Sequence, residues 1–361
     1  MKFIDLFAGI GGFRIGMEQA GHTAVGWCEK DKFAQKSYRA IHKTKGEWFS
    51  DDIRTVEPSG LPDFDILCGG FPCQSFSIAG NRGGFKDTRG TLFFEIARLA
   101  KERQPRYILL ENVRGLLSHD KGRTFGTILN TLDNLGYSVE WQVLNSKDFG
   151  VPQNRERVFI VGHLGGFGGR QVFPIRGKDR KTTGELRQVG NYKSEKSRID
   201  NPETGRVYDS GGICPCLNTM QGGDREPKIL AERGRYNEEG GIEQQAELRK
   251  DDNANTITGV QKDNYVLEGL NTTDEGDSYC IDANYHKGIS PSHFPSGRTQ
   301  VKPGVRIRKL TPKECWRLQG FPDWAFEKAQ EANSDTQLYK QAGNSVTVPV
   351  IYEIAKRLRR G

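Results

Sequence analysis

Over the first 163 residues, short apolar runs typical of buried strands alternate with segments in which apolar residues recur every three or four positions, as on one face of a helix. We predict strands at residues 3–7, 23–28, 64–68, 107–110, 138–144 and 158–162, and helices at residues 13–20, 33–41, 92–100 and 125–135. This alternation predicts an α/β fold, with an open, doubly wound, mostly parallel sheet and helices on both faces.

The pattern changes at residue 164, where a glycine-rich stretch marks a loop. From there to residue 305 the chain is polar, and we predict only short strands, at residues 206–208, 256–258 and 265–267. From Arg306 onward the sequence again has patterns typical of regular secondary structure. Thr311 and Glu314 have the spacing of a helix capping box. The apolar pattern of residues 345–356 predicts a last helix. The predicted domains are residues 1–163 plus 306–361 and, inserted between them, a smaller, mostly β or irregular domain at residues 164–305.

Composition narrows the class of protein. Hydrophobic residues are 35% of the 361-residue chain, enough for a buried core, and no apolar run approaches the roughly 18 residues that cross a bilayer. The N-terminus lacks the features of a secretory signal, so we expect a cytoplasmic protein without membrane contact. The seven cysteines are scattered and form no paired Cys-x-x-Cys motifs, so no metal site is expected. The net charge of +7 is compatible with a nucleic-acid partner and equally with an ordinary basic surface.

The first predicted strand leads directly into Gly9, Gly11 and Gly12, which let a ligand approach the backbone closely. Glu29 ends the next strand at the spacing from Gly9 at which a carboxylate meets a ribose diol. A dinucleotide motif requires a third glycine where the chain has Arg14, so an adenosyl ligand without phosphates fits better. A tight turn followed by a surface glutamate is the alternative.

Further motifs lie near strand ends, where doubly wound sheets bind ligands. Cys73 follows Pro72 in a loop near a helix start, a position that favours loss of the thiol proton. Glu111 follows a strand and can act as a general acid if burial raises its pKa. Arg155 and Arg157 are two positions apart, so both side chains lie on one side of an extended chain. Each motif taken alone has an ordinary structural explanation. Cys73 could be an unreactive loop cysteine, Glu111 a surface glutamate, and the two arginines part of a solvated run of charges.

Near the C-terminus, Gly343, Asn344 and Ser345 precede an apolar segment. Small and hydrogen-bonding residues at such a place are typical of a helix N-terminus. Without other context, we predict only a helix start there.

Taken together and in this order, the motifs resemble the DNA (cytosine-5)-methyltransferase family of restriction–modification systems and phages. The resemblance covers residues 1–163 and 306–361 and includes residues 90–93 and the block at 308–322. It implies a Rossmann-like methyltransferase domain that uses S-adenosyl-L-methionine. The cofactor residues that it implies are Phe7, Gly9, Ile10, Gly11, Gly12, Glu29, Asp52, Ile53, Pro72, Leu92, Asn344 and Val346.

The resemblance also implies the catalytic roles. Cys73 is then the nucleophile that attacks C6 of cytosine, which activates C5 for methylation. Glu111 would protonate N3, Arg157 would hold the O2 side of the base, and Arg155 would support the site. Because the target ring is unreachable inside a duplex, the cytosine must be flipped out.

The family resemblance further implies a DNA interface. Residues 74–89 would form a loop that closes over DNA, with contacts from Gln74, Ser77 and Ala79; relatives often have serine where this chain has Ala79. The insert at 164–305 would be the target-recognition domain, with Thr256 and Ile257 as the better candidate pair and Leu217 to Thr219 as the weaker one. We expect a monomeric, nucleoid-associated enzyme whose partner is double-stranded DNA. A cognate restriction endonuclease in the same cell is a further expected partner, without a stable complex between the two proteins.

Three alternatives remain open from the sequence. A nucleotide-cofactor oxidoreductase could use a similar sheet, although Arg14, Cys73 and Glu111 argue against it. A catalytically silent DNA-binding relative and a tRNA cytosine-5 methyltransferase are the others. A loose similarity between residues 216–227 and 254–266 also predicts that the insert recognises more than one target sequence.

Overall fold

The computed structural model of the chain describes residues 1–72, 92–166 and 306–358, together with 168, 171–177, 186, 188–193, 206–208, 213–217, 228–231, 233–236, 242–245, 264–266 and 281–282. The chain divides into two units. The first is Met1–Thr182 with Trp316–Gly361, and the second is Thr183–Cys315. Each unit is described separately below.

Within the described part of the first unit, seven strands form one sheet in the order β3-β2-β1-β4-β5-β7-β6. Their bounds are β1 Lys2–Leu6, β2 Thr23–Cys28, β3 Trp48–Ser50, β4 Ile66–Gly70, β5 Tyr107–Val113, β6 Tyr137–Asn145 and β7 Glu156–Leu164. The first five strands pair in parallel, whereas β7 runs antiparallel to both β5 and β6. The predicted mostly parallel α/β sheet is confirmed; β3 was not predicted because it contributes only three residues.

Helices cover both faces of this sheet, as predicted. The described helices are α1 Gly12–Gln19, α2 Lys32–Ile41, α3 Leu92–Arg103, α4 Arg123–Asn134, α5 Pro312–Leu318, α6 Asp323–Ala332, α7 Asp335–Asn344 and α8 Val348–Ala355. Apolar residues of α3 and α4 form the core on one face, and apolar residues of α1 and α8 form the core on the other. None of the described helices combines the length and the apolar character needed to span a membrane.

The C-terminal segment differs in one respect from the prediction. Asn344 is the last residue of α7, and α8 begins only at Val348, so the predicted helix start at Gly343, Asn344 and Ser345 is wrong. The backbone N–H of Ser345 still donates to Gln341 O in the helical pattern of α7, and Pro349 instead marks the first turn of α8. Neither α6 nor α7 was predicted.

The capping box at the start of α5 is confirmed. The backbone N–H of Thr311 donates to Glu314 Oε2 at 2.7 Å, and the backbone N–H of Glu314 donates to Thr311 Oγ1 at 3.2 Å. These reciprocal bonds satisfy backbone donors that the first helical turn otherwise leaves unpaired.

The described part of the second unit is built of short strands, as expected. They are β8 Gln188–Lys193, β9 Arg206–Tyr208, β10 Lys228–Ala231, β11 Arg233–Tyr236, β12 Ile242–Gln245, β13 Asn264–Val266, β14 Ile281–Asp282 and β15 Arg306–Lys309. Six form a sheet in the order β13-β15-β10-β9-β8-β14, and β11 pairs with β12. The strand predicted at 206–208 is confirmed and that at 265–267 is displaced by one residue, whereas 256–258 lies outside the described residues.

The packing of α1 on α8 gives a stability prediction. A Cβ added at Gly16 would lie 2.7 Å from Ile351 Cβ, closer than packed atoms allow. We expect Gly16→Ala to lower the free energy of unfolding by about 1–3 kcal/mol, because α1 must move away from α8. Urea denaturation followed by circular dichroism measures the change.

Gly126→Ala in α4 is the matched control. A Cβ there meets none of the described atoms beyond its own helix and chain neighbours within 4 Å. This substitution should raise the free energy of unfolding by about 0.5–1 kcal/mol, because alanine restricts the unfolded chain. Equal effects of the two substitutions would contradict the proposed close contact between α1 and α8.

Candidate functional site

A cavity of about 390 Å³ lies in the first unit, where the carboxyl ends of several parallel strands meet. This is the edge at which doubly wound sheets bind ligands. Its walls come from the residues that follow β1 and β2, from the end of β4 and the residues after it, from the last residues of β5, from the residues around the start of β7, and from α2, α7 and the turn after α7. The lining residues are Phe7, Gly9, Ile10, Glu29, Asp31, Ala34, Gly70, Phe71, Pro72, Glu111, Asn112, Val113, Arg155, Arg157, Lys340, Gln341, Gly343, Asn344 and Ser345.

The turn after β1 has a constrained backbone. Phe7 has a φ of 53°, which is costly for a residue with a large side chain, and Gly11 has a φ of 85°. A Cβ at Gly11 would lie 2.0 Å from His42 Nε2, so only glycine fits. The same His42 nitrogen lies 3.3 Å from Ile10 O, which supports the turn from the protein side. Burial and the charge of Arg14 lower the pKa of His42 to about 3, so this support is a neutral imidazole.

Glu29 forms one end of the cavity. Its carboxylate accepts the backbone N–H of Gly9 at 2.8 Å and that of Asp31 at 2.7 Å, which ties the end of β2 to the glycine turn. Burial raises the pKa of Glu29, although these two N–H donors oppose the rise. A carboxylate that two backbone donors hold in place keeps further lone pairs for the hydroxyl groups of a ligand.

An ion pair joins α2 to α7 beside Glu29. Lys340 Nζ lies 2.6 Å from Asp31 Oδ2, and the other Asp31 oxygen caps the first turn of α2. Burial alone would raise the pKa of Asp31, but the Lys340 ammonium and the helix N–H groups lower it below its ordinary value. Both residues line the cavity, and neither was predicted. The spacing of Asp31 before the apolar positions of α2 was the available signal for the cap.

Glu111 and Arg157 form a buried ion pair at the other end of the cavity. Arg157 Nε lies 3.0 Å from Glu111 Oε1, and the two side chains are only 16% and 11% exposed. Burial raises the pKa of Glu111, and the charges of Arg157 and Arg155 oppose that rise without cancelling it. The carboxyl group therefore holds a proton at higher pH than a surface glutamate does, as a general acid requires.

Arg155 lies beside this pair but binds the C-terminal segment. Its Nη2 donates to Gly343 O at 3.1 Å and to Ser345 O at 2.8 Å, and the residue is 3% exposed. Arg155 and Arg157 both line the cavity, which agrees with the prediction that their side chains lie on one side of the chain. One cation thus faces the buried acid, and the other holds the turn between α7 and α8.

The structure brings together many of the residues predicted for the site, but not all. Those lining the cavity are Phe7, Gly9, Ile10, Glu29, Pro72, Glu111, Arg155, Arg157 and Asn344. The predicted residues that do not line it are Gly11, Gly12, Asp52, Ile53, Leu92 and Val346. Outside the described residues lie Cys73, Gln74, Ser77, Ala79, Thr256, Ile257, Asn218 and Thr219.

The residues away from the cavity have structural partners of their own. The Asp52 carboxylate pairs with Arg54 and, at 3.2 Å, with Lys30, while Ile53 is buried in the core with Leu92 packed against that core. A Cβ at Gly12 would lie 2.8 Å from Ser345 Oγ and 2.9 Å from Val346 Cγ2. The absence of a side chain at Gly12 therefore lets Ser345, which lines the cavity, and Val346 pack closely against α1. Leu217 is buried in the second unit.

Comparisons with known proteins agree with the resemblance inferred from the motifs. The sequence model of the C-5 cytosine-specific DNA methylase family matches residues 1–360. The Type II methyltransferase M.SsoII of Shigella sonnei is 40% identical over 99% of this chain and 79% of its own length. The Type II methyltransferase M.NlaX of Neisseria lactamica is 38% identical over 99% of this chain and 96% of its own length.

The fold is also similar to a solved structure. A crystal structure of a Spodoptera frugiperda DNMT2 mutant superposes with a TM-score of 0.57 and covers 99% of this chain and 98% of its own. The two chains are 17% identical, so this likeness concerns the fold. It confirms the predicted Rossmann-like architecture.

The raised pKa of Glu111 predicts a pH dependence of stability. The pKa of the glutamate carboxyl group is ~4.3 in the unfolded chain and higher in the folded protein. Between these two pKa values the folded state therefore binds more protons than the unfolded state. The free energy of unfolding of the wild type should therefore fall relative to that of Glu111→Gln as pH rises through this window. Below pH ~4.3 the difference between the two proteins should stay constant.

Denaturant unfolding at a series of pH values tests this expectation. Glu102→Gln on α3, where the side chain is exposed, serves as the control and should follow the wild type throughout. A difference between wild type and Glu111→Gln that does not change with pH would show that Glu111 titrates normally.

Proposed function

Because the chain belongs to the C-5 cytosine-specific DNA methylase family and is a DNA (cytosine-5)-methyltransferase, we propose that it methylates C5 of a flipped-out cytosine within a specific short duplex sequence. In this proposal S-adenosyl-L-methionine is the methyl donor, and a covalent bond forms transiently between Cys73 and C6. One observation carries the proposal. A single cavity holds the glycine turn with Glu29 at one end and the Glu111–Arg157 pair at the other, with Pro72, the neighbour of Cys73, also in its wall.

The residues present fit an adenosyl cofactor. The cavity has the size of a small-molecule site, and the strained turn after β1 brings Phe7, Gly9 and Ile10 to its wall. Phe7, Gly9 and Ile10 would hold the cofactor, and Glu29 would accept hydrogen bonds from the ribose hydroxyls. The wall of the cavity would be shaped by Gly11, Gly12 and Val346. The remaining residues predicted to bind the cofactor are Asp52, Ile53, Pro72, Leu92 and Asn344. When bound, this cofactor supplies an electrophilic methyl group.

The protein's own residues supply the activation of cytosine. The Cys73 thiolate adds to C6, and the C5–C6 π electrons move into the ring toward N3 while Glu111 delivers its proton to N3. C5 is then electron-rich enough to accept a methyl group. A base then removes the C5 proton, the C5–C6 double bond re-forms as the C6–S bond breaks, and Cys73 leaves as the thiolate. N3 returns its proton to Glu111.

Arg157 and Arg155 would have different roles in the site. Arg157, held 3.0 Å from Glu111, would bind the O2 side of the cytosine and keep the acid in position. Arg155 keeps the turn between α7 and α8 in place through two carbonyls, so it would act on both ligands indirectly. Arginine suits both tasks because its fork of donors is rigid and always charged.

DNA binding completes the proposal. A ring inside a duplex cannot reach a cavity of this kind, so the base is extruded, and Gln74, Ser77 and Ala79 would contact DNA in a closing loop. The insert at 164–305 would recognise the target, with Thr256 and Ile257 as base-contacting candidates, and the net charge of +7 suits a phosphate backbone. The Type II methyltransferase names of the relatives support a role in a restriction–modification system, and we expect a cytoplasmic monomer with double-stranded DNA as its partner.

Bisulfite sequencing tests this function directly. A long DNA of varied sequence is incubated with the protein and S-adenosyl-L-methionine, and cytosines that resist conversion are mapped. We expect protection confined to one short motif, or to two if the insert recognises two targets. Cofactor binding without any protected cytosine would instead support the silent DNA-binding relative or an RNA substrate.

Cys73→Ala isolates the nucleophile. This variant should lose methyl transfer, because no covalent adduct forms, and should bind S-adenosyl-L-methionine with nearly the wild-type dissociation constant by calorimetry. Cys216→Ala, at an exposed cysteine of the second unit, is the control and should keep wild-type transfer. Substantial methylation by Cys73→Ala would remove Cys73 from the mechanism.

A further inference from the structure

Asn112, the residue after Glu111 on β5, makes a hydrogen bond that the proposed mechanism has not used. Its Nδ2 donates to Phe71 O at 2.8 Å, and its Oδ1 accepts the backbone N–H of Val113 at 2.9 Å. The residue is 2% exposed and lines the cavity. Exchanging the amide O and N would break both bonds, so this pair of partners sets the orientation of the side chain.

The bonded carbonyl belongs to the last residue before Pro72. Pro72 has a ring-restricted φ and no N–H, so it contributes little freedom of its own to the chain that continues to Cys73. The aromatic ring of Phe71 is 5.6 Å from that of Phe93 on α3, and Phe71 is 3% exposed. Phe71 is therefore held through its ring by α3 and through its carbonyl by Asn112.

We infer that Asn112 is a positioning residue for Cys73, acting through the backbone of Phe71 and Pro72. This inference rests on the proposed function. Neighbouring residues of one strand end then carry two linked tasks: Glu111 provides the acid for N3, and Asn112 orients the chain that leads to the nucleophile for C6. The acid and the chain that leads to the nucleophile are thereby attached to the same strand. A displacement of about 1 Å in such an arrangement can cost about 100-fold in rate.

Asn112→Asp is the most informative variant. The new side chain has the same shape and still accepts the Val113 N–H, but as a carboxylate it cannot donate to Phe71 O. The measured step is exchange of tritium from C5 of the target cytosine into water without cofactor, because addition of the thiolate to C6 makes that hydrogen exchangeable. The DNA carries the target sequence found by bisulfite sequencing. We expect exchange about 100-fold slower than in wild type at pH 8.

The pH dependence separates positioning from general damage. When the new carboxyl group takes up a proton, its O–H can donate to Phe71 O again, and burial favours that neutral form. The exchange rate of Asn112→Asp relative to wild type should therefore rise as pH falls from 8 to 6. Asn112→Ala, which can never donate, should show a loss that stays the same at all these pH values.

Thr131→Val is the matched control. Thr131, buried in α4, donates through Oγ1 to Thr127 O at 2.7 Å, so the substitution also removes a bond from a buried side chain to a backbone carbonyl. It should lower the melting temperature as the Asn112 variants do and leave the exchange rate within about twofold of wild type. If Asn112→Asp does not fold, Asn112→Ala removes the donor without adding a charge, with an expected loss of about 100-fold at pH 8.

The outcomes distinguish this inference from the proposed function. Exchange by wild type together with wild-type rates in the Asn112 variants would overturn the positioning role of Asn112. A slow Asn112→Asp whose rate relative to wild type does not change with pH would also overturn it. Absence of both exchange and methylation in wild type would instead contradict the proposed function.

Discussion

The cavity depends on one buried cation, the guanidinium of Arg155. Its walls come from two distant parts of the chain, the N-terminal sheet and the turn between α7 and α8, and Arg155 joins them through Gly343 O and Ser345 O. A buried charge is costly unless its donors find partners, and two backbone carbonyls accept the hydrogen bonds of Nη2 here. Burial raises the pKa of Glu111 and the charge of Arg155 opposes that rise, so the clamp also contributes to the electrostatics of Glu111.

The direction of β7 makes this clamp possible. β7 is antiparallel to β5, with Arg157 opposite Val113 and Phe159 opposite Glu111. The first residues of β7 therefore lie at the carboxyl end of β5, where the cavity is. A parallel β7 would place its first residues at the opposite edge of the sheet. One reversed strand thus brings both arginines to the edge that already carries Glu111.

The sequence predicted best those features that depend on local pattern. Glu29, Glu111 and the two arginines follow from the positions of strands, and all four line one cavity. The pair of Asp31 and Lys340 could not be predicted, because these residues are 309 positions apart and α7 has no strong periodic signal. The same limit applies to the placement of Asn344, since its helix was not predicted.

Arg14 shows a second limit of sequence patterns. Its presence in place of glycine argued against a dinucleotide motif, but the pattern said nothing about its environment. In the structure Arg14 is 4% exposed and donates two hydrogen bonds of 2.7 Å to Glu47 and one of 2.9 Å to Glu18. A buried cation with paired acceptors replaces the close helix–strand contact that a third glycine would allow.

Glu29 and Glu111 show how one residue type has two different environments in a single cavity. Burial raises the pKa of both carboxyl groups. Glu29 has two backbone N–H partners, which hold its oxygens as fixed acceptors for neutral hydroxyls. Glu111 has a cation as its partner, and a proton that arrives on Glu111 weakens that ion pair while a proton that leaves restores it. The energy of the Arg157 contact thus changes with the protonation of Glu111, which suits the role of acid proposed for Glu111. The Glu29 contacts suit the role of fixed acceptor proposed for Glu29.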